Sequence, residues 1–153
     1  NHFKKFTFEF KNAKILDLYS GTGSFGLECL SRDANKVIFV ENGKNALKIL
    51  QKNINKLNIE KKTSVIPQSV FSYLSCANNC NYKIDLIFLD PPYKEKKIFE
   101  LINNIIKTNI LVKNGIIIIH RNKKSKDNYP NNFKILDTRK YGISKIIFGN
   151  LVF

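Results

Sequence analysis

Ile15-Leu16-Asp17-Leu18-Tyr19-Ser20-Gly21-Thr22-Gly23-Ser24-Phe25-Gly26 begins as an apolar run, reaches an acid and breaks into a glycine-rich turn. Leu27, Cys29, Leu30 and Ser31 follow as the start of a helix, so the segment reads as strand, turn, helix. Glycine permits positive φ and lets the backbone come close to a ligand. Gly21, Gly23 and Gly26 spell G-x-G-x-x-G, and Glu41 ends the next apolar run, Val37-Ile38-Phe39-Val40, where a ribose-binding carboxylate belongs. The glycine pattern alone is weak. With a strand before it, a helix after it and an acid closing the following strand, it predicts a nucleoside-binding α/β domain.

A second motif, Asp90-Pro91-Pro92-Tyr93, ends the apolar run Ile84-Asp85-Leu86-Ile87-Phe88-Leu89. Two prolines remove two backbone donors and fix two φ angles, so the carbonyls there are expected to stay open to an outside donor. An acceptor-only carboxylate, such carbonyls and an aromatic face suit a flat ring carrying an exocyclic amine. Taken alone, the tetrapeptide is equally compatible with an ordinary loop in which Tyr93 is merely half-buried.

Around these motifs strand and helix alternate. Strands are predicted at 14–19, 36–41, 63–66, 84–90, 115–120, 133–139 and 143–151, and helices near 23–33, 43–57, 69–75 and 95–109. The near-continuous apolar runs at 84–89 and 116–119 suit parallel strands covered on both faces. Leu47, Leu50, Ile54 and Leu57 keep a helical period and are expected to be core. The last two strands, linked around Tyr141-Gly142, are close enough for an antiparallel hairpin. At 153 residues without repeats or a low-complexity linker, residues 1–153 are expected to form one domain.

Twenty-six Lys and Arg against twelve Asp and Glu leave a net charge of +14, a field that draws polyanions. Lysine is abundant throughout, which leaves a purely compositional origin open. Two clusters nonetheless fall at the carboxyl edge where open α/β sheets bind ligands: Lys94, Lys96 and Lys97 after the tetrapeptide, and Arg121, Lys123, Lys124 and Lys126 after the next strand. Phosphate contact is expected there. No run approaches the roughly 20 apolar residues of a membrane span and no leader opens the chain, so a soluble, cytoplasmic protein is expected. Cys29, Cys76 and Cys80 lack ligand spacing; reduced thiols and no metal are expected.

Asp17 through Gly26, Glu41 and Asp90 through Tyr93 resemble the cofactor loop, ribose acid and catalytic tetrapeptide of class I S-adenosylmethionine-dependent methyltransferases that modify exocyclic amines. With Gly26-Leu27-Glu28-Cys29-Leu30-Ser31-Arg32 and Ile116-Ile117-Ile118-Ile119-His120-Arg121, the chain from Lys14 to Leu151 is most similar to the bacterial 16S rRNA (guanine(966)-N(2))-methyltransferase family. The resemblance implies a Rossmann-like, seven-stranded, mostly parallel sheet of order 3-2-1-4-5-7-6 with helices on both faces. It implies S-adenosyl-L-methionine held by Asp17, Tyr19, Ser20, Gly21, Gly23, Glu41, Asn42, Ser69, Val70 and Asp90. Catalysis would fall to Asp90, Pro91, Pro92 and Tyr93, with Asp90 and the Pro91 carbonyl accepting from the guanine amine. Lys94, Lys96, Lys97, Arg121, Lys123 and Lys124 would meet ribosomal RNA or the small-subunit particle, and a monomer is expected.

Some features depart from the family. Its amino-terminal RNA-binding arm is expected to be missing, and the chain opens at Asn1 without any methionine, as expected of a trimmed or partly ordered chain. Ser69 stands where the family places Asp or Asn near adenine, and it is equally suited to capping the helix that begins Val70-Phe71. Asp33 and Asp85 are expected at a helix end and a strand start, outside the chemistry. The tetrapeptide is shared with DNA adenine and cytosine amino-methyltransferases, so DNA or another RNA remains an alternative substrate. A nicotinamide-dependent oxidoreductase would share the glycine loop and Glu41, and a non-catalytic RNA-binding domain would share the charge.

Overall fold

The computed structural model describes residues 8–77 and 81–153. Cys80, and residues 1–7 where the missing-arm expectation falls, lie outside the described residues. Strands β1 (Lys14–Leu18), β2 (Lys36–Val40), β3 (Thr63–Ile66), β4 (Ile84–Leu89) and β5 (Leu111–Asn122) run parallel. β6 (Phe133–Tyr141) and β7 (Ser144–Leu151) are an antiparallel hairpin, and β7 inserts beside β5. The sheet order is therefore β3-β2-β1-β4-β5-β7-β6, as the resemblance implies.

Alternation along each strand feeds two cores. Leu16, Leu18, Val40 and Ile87 bury against α3 (Val70–Cys76) and α4 (Ile98–Thr108), through Leu74, Leu101, Ile102 and Ile105. Ile15, Val37, Phe39 and Leu86 face the other way, onto α1 (Ser24–Ser31) and α2 (Lys44–Leu57), through Cys29, Leu50 and Ile54. Truncating such a side chain to Ala costs roughly 2–5 kcal/mol. Leu57, expected in the core, is 56% exposed. A 14-residue helix is about 21 Å long and the five-residue β2 about 17 Å, so the last turn of α2 outruns the sheet beneath it.

Two boundaries differ from expectation by three residues or more. β5 begins four residues early because it continues through an irregularity: Asn114 is left-handed (φ 65) and the pairing with β4 shifts between Ile84 and Leu86. α4 starts at Ile98 rather than 95, because Glu95 is held in a turn by its N–H donating to Pro92 O at 2.9 Å. β6 carries a register shift between Ile135 and Asp137 that leaves Leu136 unopposed. The hairpin turns at Gly142, whose φ of 54° is what a primed two-residue turn requires at its first central position.

The fold sets the site by register. Leu18 pairs with Val40 on one side and Leu89 on the other, so the ends of β1, β2 and β4 lie level where the strand order reverses. That reversal opens a crevice at the carboxyl edge.

Candidate functional site

The glycine turn is built on the β2 backbone. Ser20 N–H donates to Val40 O at 3.1 Å and Gly23 N–H to Ser20 O at 2.9 Å. Gly21 (φ 56) has nothing within 4 Å of where a Cβ would stand, so its side of the turn is open to a ligand. At Gly26 the reverse holds: a Cβ would fall 2.4 Å from Phe39 Cε1, because α1 packs directly onto β2 there. The turn also fixes Glu41, whose carboxylate accepts from Gly21 N–H (2.9 Å) and Gly43 N–H (2.8 Å) through different oxygens. Each oxygen keeps capacity for a further donor such as a hydroxyl.

Asp17 lies beneath the turn, 1% exposed, with Oδ2 accepting from Gly26 N–H at 3.1 Å. Its Oδ1 and Ser20 Oγ are buried without a partner. Burial pushes the Asp17 carboxyl up to about 8; the Gly26 N–H opposes this, and the Asp90 and Glu41 carboxylates reinforce it. Three acids thus converge at one edge of a chain of net charge +14. With Asp17 raised toward its neutral form, the Asp90 and Glu41 carboxylates are what favour a ligand carrying positive charge there, as a sulfonium and an ammonium do. Tyr19 (φ 60) is half-buried beside it, its phenol raised to about 12 by burial and by Glu95.

The tetrapeptide continues β4. Leu89 pairs with Ile119, so Asp90 and His120 are the next residues on adjacent strands, and Asp90 Oδ1 lies 2.7 Å from His120 Nδ1. His120 Nε2 is 2.9 Å from Ser144 Oγ, which is 3.2 Å from the Tyr93 hydroxyl. The Tyr93 ring stands edge-on to the imidazole at 5.8 Å and is 44% exposed. Pro91 is buried.

Two expectations are corrected here. The Pro92 carbonyl is not open: it accepts from Glu95 N–H and from Arg121 Nη1 at 3.1 Å. Arg121, expected on phosphate, is 2% exposed, and its guanidinium is used by Asp127 (Nε 2.9 Å, Nη2 3.1 Å), Pro92 O and Glu95 O (2.8 Å). It ties the tetrapeptide to the loop after β5.

Lys94, Lys96 and Lys126, one of them from the second cluster, come together with Tyr93 and Phe99 along a groove of about 380 Å³. Lys97 is turned aside, its Nζ 5.8 Å from the centre of the Phe71 ring. Lys123 and Lys124 are exposed on the following turn. At the other end of the crevice Ser69 caps α3, accepting from Ser72 N–H at 3.1 Å. Val70, expected near adenine, is 2% exposed with its side chain in the core, so only its backbone can meet a ligand. Asn42 is exposed beside Glu41. Asp85 accepts from Lys14 N–H at 2.8 Å, a structural role, and no group of three potential metal ligands occurs among the described residues.

His120 and Ser144 are the functional candidates that sequence reasoning did not assign. The usable signal was position, a histidine one step past a strand end that neighbours the Asp90 strand.

A family model described as conserved hypothetical protein 95 matches residues 1–150. The ribosomal RNA small subunit methyltransferase D of Haemophilus influenzae is 33% identical over 132 residues, 86% of this chain and 68% of the relative. Its namesake from Buchnera aphidicola subsp. Acyrthosiphon pisum is 33% identical over 125 residues, 82% of this chain and 64% of the relative. The chain spans about two thirds of the length of these relatives. A solved Haemophilus influenzae structure described as a methylase superposes with a TM-score of 0.81 at 31% identity, covering 94% of this chain and 89% of its own. Sheet order and relatives together define a class I, S-adenosylmethionine-dependent methyltransferase. Within that class, the chain belongs to the ribosomal RNA small subunit methyltransferase D family. Membership sets aside the nicotinamide-dependent oxidoreductase.

Proposed function

We propose that this domain methylates the exocyclic N2 amine of a guanine in small-subunit ribosomal RNA, acting in the cytoplasm as a monomer. The observation that carries this reading is the Asp90 carboxylate, held by His120 beside the exposed Tyr93 ring at the sheet edge that also bears Glu41 and the Gly21 turn.

When bound, S-adenosylmethionine supplies an electrophilic methyl: an N–C bond forms as the S–C bond breaks, its electron pair stays on sulfur, and the nitrogen gives up a proton. Glu41 would accept the ribose hydroxyls, the Gly21–Gly23 turn would lie along the methionine end, and the unpartnered Asp17 Oδ1 and Ser20 Oγ offer polar partners beneath it. Asn42, Ser69 and the Val70 backbone would border adenine. Guanine N2 is a poor nucleophile because its lone pair is delocalised into the ring. An N–H to Asp90, with a second to the Pro91 carbonyl, favours the pyramidal amine and aims its lone pair. Orientation and electrostatics of this kind need no covalent intermediate. Tyr93 would stack on the extruded base, and the groove bearing Lys94, Lys96 and Lys126 would follow the flanking phosphates.

Small-subunit RNA is incubated with the protein and S-adenosylmethionine, digested to nucleosides and resolved by mass spectrometry. N2-methylguanosine is expected; methylation of adenine or cytosine instead, or of DNA in preference, overturns the guanine assignment. Asp90→Ala should lower single-turnover transfer about a hundredfold or more while leaving cofactor affinity nearly intact.

A further inference from the structure

The chain of contacts Tyr93, Ser144, His120, Asp90 has a direction fixed by chemistry. A carboxylate only accepts, so the 2.7 Å contact to Asp90 places a hydrogen on His120 Nδ1. In the neutral ring Nε2 then carries a lone pair, which accepts the Ser144 hydroxyl at 2.9 Å, and Ser144 Oγ accepts the Tyr93 hydroxyl at 3.2 Å. Every donor points toward Asp90. A protonated ring reverses one contact: Nε2–H must donate to Ser144 Oγ, whose own hydroxyl hydrogen turns away from the imidazole, and Asp90 becomes half of an ion pair.

We propose that His120 is a positioning residue for Asp90, holding one carboxylate oxygen through Nδ1–H so that the other accepts the amine, and that protonating His120 shuts transfer down at acid pH. The inference rests on the amine-methylation reading above. As the N–C bond forms, the amine proton passes to the Asp90 oxygen that His120 leaves open and from there to solvent, since the Asp90 side chain is 43% exposed. An imidazolium beside the carboxylate weakens it both as acceptor and as base.

The groups facing His120 come from every neighbouring element. Asp90 and Tyr93 follow β4, and Ser144 opens β7. Across the apolar groove that His120 borders stand Glu28 and Cys29 of α1 and Arg32 just after it; Glu28 and Arg32 pair with each other at 3.2 Å, and burial raises the Cys29 thiol. Lys145 is turned away, its Nζ donating to Ser125 O at 2.7 Å. The Asp90 carboxylate in turn raises the buried Asp17 carboxyl.

The test compares pH profiles of single-turnover transfer for the parent, His120→Asn and Ser144→Ala, together with imidazole 15N spectra of the cofactor-free parent. Signals are assigned by their loss in His120→Asn. The acid limb of the parent should move to lower pH in His120→Asn, where the Asp90 carboxylate is the group left to be protonated, with plateau turnover lowered about tenfold and S-adenosylmethionine affinity within about twofold of the parent. Because the limb is read as a difference between profiles, titration of Asp17 common to both cancels. Ser144→Ala should keep the limb but shift it. The spectra should show the Nδ1–H tautomer. An acid limb at the same pH in His120→Asn as in the parent, or an Nε2–H tautomer, overturns the proposal. A parent that methylates no guanine overturns the functional reading instead, and the tautomer then decides the contact chain by itself.

Discussion

Asp17 keeps a proton near neutral pH that it would lose in the unfolded chain. Its folded value of about 8 lies above the ordinary 3.8, so between those limits the native state binds one proton more than the unfolded state. The stability this contributes is complete below about pH 4 and is lost as pH rises through about 8, at roughly 1 kcal/mol per pH unit. Urea midpoints of the cofactor-free protein should therefore fall between about pH 5 and pH 8, and fall less in Asp17→Asn; parallel profiles would remove Asp17 as the cause. Glu41 acts on the ligand. Losing a charged hydrogen-bond partner costs roughly 1.5–3 kcal/mol, so Glu41→Ala should weaken S-adenosylmethionine binding tenfold or more by calorimetric titration. Both acids were legible because each ends an apolar strand beside a glycine turn. His120 and Ser144 were not, since a lone histidine has no spacing to announce it and its serine partner arrives through the antiparallel β5–β7 pairing, 24 residues away.

At the scale of elements, the segment between β4 and α4 is held by one buried cation. Arg121 sits at the end of β5, and successive strand residues point to opposite faces, so His120 meets Asp90 while Arg121 turns under the tetrapeptide to Pro92 O, Glu95 O and Asp127. Removing one member of a buried ion pair costs roughly 3–5 kcal/mol. Arg121→Met should lower the thermal midpoint by that loss and weaken RNA capture, yet leave the salt dependence of RNA binding unchanged; a flattened dependence would restore Arg121 to the phosphate contacts. The sequence showed a cation at the right edge but not its burial, which depends on Asp127 folding back from the loop. Strands were readable from apolar runs, and the early start of β5 was hidden because Asn114-Gly115 has the look of a turn and is here an irregularity inside a strand.

For the whole molecule, the position of the site followed from two motifs and the alternation of strand and helix, because a reversal of strand order admits a ligand at only one edge, whereas the sheet order came from the family resemblance. Which lysines share a surface did not follow, since it takes the fold to bring Lys126 to Lys94 and Lys96. Exchanging those three for glutamine should reduce the salt slope of single-stranded RNA binding by about 2, at roughly 0.7 per phosphate contact, while Lys97→Gln changes it little; equal slopes would leave the groove a solvated face. The unopposed Leu136 in β6 has a different effect. β6 is an outer strand whose backbone could template another copy, and an extra residue there bends and twists the strand while Lys134 and Lys140 stand exposed along it. A flat approach by a second such strand would set like charges together on a kinked rail, so sheet-to-sheet aggregation is discouraged at the free edge beside β7.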